Sequence, residues 1–207
     1  MFSSVLRTNP DLLCRSRVRA AYPAALQADW IDAAVLIAMG VIAAALTTFV
    51  HLRMRIPGHA IVLSVIPMSF GLAAAPRRGA GGLMGLSAVL ATIGFDPAGA
   101  PTRVAALVSL GLVGVLLDLA ARRAQCGKKL YVAFAVAGLA SNAVAFGAKM
   151  LEKRSGLDVG SRPYAEWISI APLSFALCGL LAGLIGAALF FQFSEAGKTG
   201  PHQEPRA

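Results

Sequence analysis

The chain has 207 residues, of which 57% are hydrophobic and only 14% are charged. A soluble domain usually carries about 25% charged residues, and a mean hydropathy of +0.69 sets this sequence apart from that class. The formal net charge of +9 does not indicate a nucleic-acid partner, because Lys and Arg gather at the ends of apolar runs. In that position they set membrane topology and contact lipid headgroups.

The apolar runs predict an all-α fold, a polytopic membrane helix bundle over residues 29–193. About 20 apolar residues cross the hydrocarbon core as a helix, and a helix is required because lipid offers no partner to backbone polar groups. The third segment is short and rich in glycine, so a re-entrant segment is an alternative there. The six predicted transmembrane helices are 31–50, 56–75, 79–95, 104–121, 130–148 and 167–191.

The distribution of basic residues predicts an N-in/C-in orientation. With the N-terminus inside, the cytoplasmic segments hold 12 Lys and Arg residues and the outer segments hold 7. Residues 1–28 are expected to be a cytoplasmic tail, since arginines interrupt the apolar core that a secretory signal needs. Residues 194–207 are expected to be a disordered cytoplasmic tail. Trp167 and Tyr131 would then mark opposite interfaces as aromatic anchors.

Small residues recur at four-residue spacing in three of the predicted spans. This spacing puts both residues on one helix face, so that another helix can approach closely. In a chain this rich in Ala and Gly, most such pairs are expected to lie inside the bundle, and a minority to mark a partner surface. The pairs are Ala34 and Ala38, Gly81 and Gly85, Gly179 and Gly183, and Ala182 and Gly186.

Few ionisable or amide side chains fall within the predicted spans, where such groups are costly and are functional candidates by default. Asp118 is followed by Arg122 four residues later, so one helical turn brings them together as a structural ion pair. Asn142 lies near the middle of the fifth span. Its amide needs a partner there, either another helix or a ligand, and the sequence leaves both open.

Basic and histidine residues gather at the predicted outer ends of the spans. His59, near the start of the second span, is a candidate substrate contact, metal ligand or helix N-terminal group. With His51 it makes two histidines near one rim, which is too few to predict a metal site. Arg55 and Lys149 lie at the same rim, where they either attract an anionic solute or are simply solvated.

Motifs for catalysis and for cofactors are missing from the sequence. It contains no HExxH zinc motif and no Walker A lysine motif, and its three cysteines form no CxxC pair. We therefore expect a protein that is not an enzyme and that holds neither a metal nor another cofactor.

Four segments carry a resemblance to a known family. They are Arg55 to Ala60 (RIPGHA), Ala75 to Gly81 (APRRGAG), Gly111 to Asp118 (GLVGVLLD), and Gly138 to Lys149 around Asn142. Together with six short helices and the lack of an ATPase motif, they resemble bacterial membrane proteins grouped with the substrate-binding (S) components of energy-coupling factor (ECF) transporters. The resemblance covers roughly residues 30 to 192.

The resemblance implies uptake of a vitamin or other micronutrient across the bacterial inner (plasma) membrane. The solute would bind in a cavity that opens to the outside, closed in part by the loop from His51 to Arg55. A transmembrane coupling subunit would dock on Ala34 and Ala38, and two cytoplasmic ATPases would supply the energy. No vitamin signature is present, and an early histidine typical of the cobalt and nickel branch is missing. The alternative is a structural or assembly membrane protein. The candidate substrate-binding residues are His51, Arg55, His59, Asn142 and Lys149.

Overall fold

The computed structural model describes residues 30–50, 58–75, 77–95, 104–123, 127–155 and 164–196. These residues form six helices and contain no strand, so the prediction of an all-α helix bundle is confirmed. The predicted N-terminal tail lies outside the described residues, and so does the C-terminal segment after Ala196. The helices are α1 (Trp30–Phe49), α2 (Ala60–Ala74), α3 (Ala80–Phe95), α4 (Val104–Arg123), α5 (Gly127–Arg154) and α6 (Tyr164–Ala196).

The length of the helices and their exposed apolar side chains are those of a membrane protein. Three segments are long and apolar enough to cross a membrane, namely Trp30–Phe49, Lys128–Arg154 and Trp167–Phe193. The exposed side of α6 carries leucines one turn apart at Leu173 and Leu177, a surface suited to lipid.

Helices α2 and α3 are shorter, with 15 and 16 residues. At 1.5 Å per residue they are about 22–24 Å long, against a hydrocarbon core of about 30 Å. Helix α3 is one continuous helix from Ala80 to Phe95, without the internal turn that a re-entrant segment would need. Both short helices are therefore shorter than the hydrocarbon core is thick.

The six helices form a closed ring in the order α1, α2, α6, α5, α4, α3, in which each helix packs against its two neighbours. In this order α1 lies opposite α5, and α3 lies opposite α6. Helix α2 also contacts α4 across the ring, so the middle of the bundle is filled. Phe134, Met68 and Leu72 are among the largest fully buried side chains of this core.

Glycine lets neighbouring helices touch along their backbones. A Cβ added at Gly85 of α3 would lie 2.6 Å from the carbonyl oxygen of Gly111 on α4. On the other side of the ring, a Cβ at Gly179 of α6 would lie 2.7 Å from the carbonyl oxygen of Gly138 on α5. Real Cβ atoms do not come that close to other atoms, so only glycine permits these crossings.

Three of the small-residue pairs that the sequence singled out lie inside the bundle. Gly81 and Gly85 face α4, Gly179 and Gly183 face α5, and the pair of Ala182 and Gly186 is buried, with Gly186 against α2. Ala34 and Ala38 differ, because both are exposed on the outside of α1.

Two acidic side chains hold the turn between α2 and α3. Asp118 of α4 accepts hydrogen bonds from the Nε atom (2.8 Å) and the Nη2 atom of Arg122, so these residues form an ion pair. The same carboxylate accepts the backbone N–H of Gly79 at 3.2 Å. On the other side of the turn, Arg77 pairs with Asp32 of α1 at 2.6 Å. The turn is therefore tied to helices on both of its sides.

Candidate functional site

A cavity of about 280 Å³ lies at the end of the bundle opposite the α2–α3 turn. Its volume is near the lower limit of ligand pockets, which span roughly 300–1,000 Å³. All six helices or the residues that precede them contribute to its wall. The lining residues are Thr47, Thr48, Gly58, Ala60, Ile61, Ser64, Thr92, Ala106, Ser109, Leu110, Asn142, Ala145, Lys149, Trp167 and Phe175.

Asn142 joins three parts of the cavity wall and is only 2% exposed. Its Nδ2 atom donates to the carbonyl oxygen of Phe175 on α6 at 2.6 Å and to that of Gly58, before α2, at 3.4 Å. Its Oδ1 atom has no hydrogen-bond donor among the described residues. It is also not one of the fully buried side-chain atoms that lack a partner there. The amide nitrogen thus serves helix contacts, while the amide oxygen remains open to a molecule in the cavity.

Aromatic side chains build one wall of the cavity. Trp167 and Phe175 line it directly, and Phe146 stacks on Trp167 with ring centroids 5.4 Å apart. The ammonium group of Lys153 lies 5.3 Å from the centroid of the Trp167 ring, within the range of a cation–π contact. Trp167 is only 8% exposed. The sequence predicted an interfacial anchor at this position, whereas the structure places the indole inside an aromatic cluster.

Among the lining residues that the structure describes, one side chain is cationic, and it is paired. The Nζ atom of Lys149 lies 3.0 Å from the Oε2 atom of Glu152, one helical turn further along α5. Glu152 is 7% exposed, so its carboxylate is held against the amine at the cavity rim. Sequence reasoning missed Glu152 because the predicted fifth span ended at 148. The i,i+3 spacing of the two charges was the signal that could have found it.

Hydroxyl side chains form much of the remaining polar lining. Thr47 donates to Ala43 at 3.0 Å, Ser64 to Ile61 at 2.9 Å, and Thr92 to Ala88 at 2.8 Å. Each acceptor is a backbone carbonyl one turn earlier in the same helix, a common arrangement for hydroxyls within helices. These residues do not stand out in the sequence, because a lone Ser or Thr in an apolar span gives no sign of the face on which it lies.

The structure brings only some of the predicted site residues together. Asn142 and Lys149 line the cavity, whereas His59 is half-buried at the start of α2 and its neighbour Gly58 lines the cavity instead. His51 and Arg55 lie outside the described residues. Among the residues that are described, no group of His, Cys, Asp and Glu is placed to hold a metal ion.

The remaining predicted residues lie away from the cavity. Ala34 and Ala38 are near the other end of α1, and Asp118 with Arg122 is beside the α2–α3 turn.

Comparison with protein-family models, with curated proteins and with solved structures gives no match. The fold and the cavity define a helical membrane protein with a partly open cavity of about 280 Å³ at one end of its bundle.

Proposed function

We propose that this chain is the solute-binding membrane subunit of a micronutrient uptake system, an S component that works with an energising module. The observation that carries the proposal is the cavity at one end of the six-helix ring. It combines an apolar, partly aromatic wall with a few polar groups at fixed positions, the usual composition of a small-molecule site. Asn142 is the central polar group, since its nitrogen is fixed by two carbonyls and its oxygen is open.

The position of the cavity supports uptake more than a structural role. A protein that serves only helix–helix assembly is expected to be closed at both ends, whereas this bundle leaves about 280 Å³ at one end. In the proposed N-in/C-in orientation that end faces the outside of the inner membrane. A solute would enter there and be released inward after the coupling subunit and its two ATPases engage.

The exposed face of α1 supports a docking site for the coupling subunit. Ala34 and Ala38 lie one turn apart and are exposed, unlike the other predicted small-residue pairs, which serve contacts inside the bundle. Small side chains let a partner helix approach closely in the membrane.

Affinity purification of the tagged full chain from its native membrane tests the proposal. We expect an ATPase and a coupling membrane subunit to co-purify, and native mass spectrometry to find a small molecule on the chain. The double variant Ala34→Leu with Ala38→Leu should lose the module and keep the small molecule. Ala143→Leu is the matched control, because Ala143 is an exposed alanine on α5, across the ring. Purification that yields neither a module nor a bound solute would refute the proposal.

A further inference from the structure

We infer that the cavity selects uncharged molecules that present hydrogen-bond donors and carry an aromatic or apolar face. The inference rests on the proposed role as a solute-binding subunit and names the class of solute. It follows from three properties of the lining, namely the direction of its hydrogen bonds, the balance of its charges and the placement of its aromatic rings.

Four polar side chains of the lining already donate their hydrogens to carbonyl oxygens within the protein. The hydroxyls of Thr47, Ser64 and Thr92 donate to carbonyls of their own helices. The Nδ2 hydrogens of Asn142 go to the carbonyls of Phe175 and Gly58. What these side chains still offer is oxygen lone pairs, which accept hydrogen bonds. A ligand that matches them must bring N–H or O–H groups.

Two further hydroxyl side chains contribute to this balance. Thr48 and Ser109 also line the cavity, and a hydroxyl can both donate and accept a hydrogen bond. They allow the ligand one or two acceptors of its own, such as a carbonyl oxygen. The hydroxyl and amide groups of the described lining nevertheless offer more acceptors than donors.

The charge balance of the described lining residues disfavours ions of either sign. The amine of Lys149 has its counter-charge in Glu152 at 3.0 Å, so it offers an anion little net attraction. An anion would also face the lone pairs of Thr92 and Asn142. A cation would meet the Lys149 amine, and no Asp or Glu is among the lining residues that the structure describes. Burial of an unpaired charge is costly, so an uncharged solute fits best.

The placement of the aromatic rings gives the ligand its orientation. Trp167 and Phe175 are on α6, while Thr92 is on α3 at the opposite side of the ring. A molecule in the cavity therefore meets aromatic surface on one side and hydroxyl oxygens on the other. A planar ring with N–H groups on one edge satisfies both sides at once.

A series of four probes with the same ring separates charge from hydrogen bonding. The probes are benzamide (neutral, with N–H donors), N,N-dimethylbenzamide (neutral, without donors), benzoate (anion) and benzylammonium (cation). Binding to the detergent-solubilised full chain is measured by the fluorescence of Trp167. The chain has two tryptophans, and Trp30→Phe removes the other one, which is 77% exposed at the opposite end of α1.

We expect benzamide to bind with a dissociation constant at least about tenfold below those of the other three probes, the effect of one net hydrogen bond. Ser64→Ala should weaken benzamide several-fold. Ser87→Ala is the matched control, because Ser87 also donates to a carbonyl three residues earlier but does not line the cavity.

Two results would overturn the inference and leave the proposed function standing. One is binding of benzoate or benzylammonium as tight as that of benzamide. The other is equal binding of benzamide and its dimethyl derivative. If none of the four probes changes the Trp167 signal, the inference is also overturned, and the co-purification experiment decides separately whether the chain is a solute-binding subunit.

Discussion

At the scale of single residues, the contact between Asn142 and Gly58 shapes the cavity wall. Gly58 has a φ of +87°, a conformation that side-chain-bearing residues rarely adopt. A Cβ at this position would also lie 3.0 Å from the ring of Phe175. The glycine therefore lets its carbonyl reach Asn142 while the chain passes closely over the aromatic cluster. The close packing of Gly58 on Phe175 and its hydrogen bond with Asn142 therefore hold the same part of the cavity wall in place.

The substitution Asn142→Asp tests this arrangement, because it preserves size and removes both donors. A carboxylate would then face the carbonyl oxygens of Phe175 and Gly58, which would lose their donor. We expect the free energy of unfolding to fall by about 2–4 kcal/mol, since unpaired buried polar groups cost about 1–3 kcal/mol each. Thermal unfolding of the purified protein in detergent measures the change.

The neighbouring variant Ser141→Ala is the control for that experiment. Ser141 is equally buried, but among the described residues its hydroxyl makes only a long contact of 3.4 Å with the carbonyl oxygen of Ser109. Its replacement should cost about 1 kcal/mol or less. Equal losses of stability for the two variants would show that the amide bonds do not hold the wall.

At the scale of helices, hydropathy locates every element but not every boundary. The predicted fifth span ends at 148, whereas α5 continues to Arg154. The last turn is polar, so an apolar run cannot reveal it, and it remains helical with Lys149 paired to Glu152. The second span shows the opposite error, since it is predicted to begin at 56, while α2 begins at Ala60 after the positive-φ Gly58. The hydropathy pattern therefore misses a polar helical turn in one case and places a helix start too early in the other.

The cavity was only partly predictable for a related reason. Asn142 and Lys149 stand out because polar groups are costly in apolar spans. Trp167 and Thr92 meet in one cavity only because α6 and α3 take opposite places in the ring. A single sequence contains the apolar face of each helix but not the order of the helices around the ring. Without that order, the sequence cannot show that the aromatic residues and the hydroxyl residues line the same cavity.

Glycine at helix crossings gives a test at the same scale. Gly85→Ala would place a Cβ 2.6 Å from the Gly111 carbonyl oxygen, whereas a Cβ at Gly82, on the same helix, has no atom within 4 Å. We expect Gly85→Ala to lower the free energy of unfolding by about 1–3 kcal/mol, the usual cost of overpacking. Gly82→Ala should change it by about 1 kcal/mol at most, in the stabilising direction, because alanine favours helix. A smaller loss for Gly85→Ala than for Gly82→Ala would contradict the close α3–α4 crossing.

At the scale of the whole molecule, the two ends of the ring differ in chemistry. One end holds the cavity, with its charged rim of Lys149 and Glu152. The other end holds the α2–α3 turn, and near it the exposed residues Arg78, Arg123 and Lys128. Basic residues concentrate on the cytoplasmic side of membrane proteins. The second end is therefore expected to face the cytoplasm, and the cavity to face the outside.

Cysteine labelling in intact cells tests that orientation. The three native cysteines are first replaced by alanine, and single cysteines are introduced as Ser155→Cys near the cavity or Lys128→Cys at the other end, both exposed positions. A maleimide that cannot cross the membrane should label Ser155→Cys in intact cells and Lys128→Cys only after permeabilisation. Labelling of both after permeabilisation shows that both positions are reachable. The reverse pattern in intact cells would place the cavity on the cytoplasmic side, where it could not capture a solute from outside, and uptake would have to be abandoned as its role.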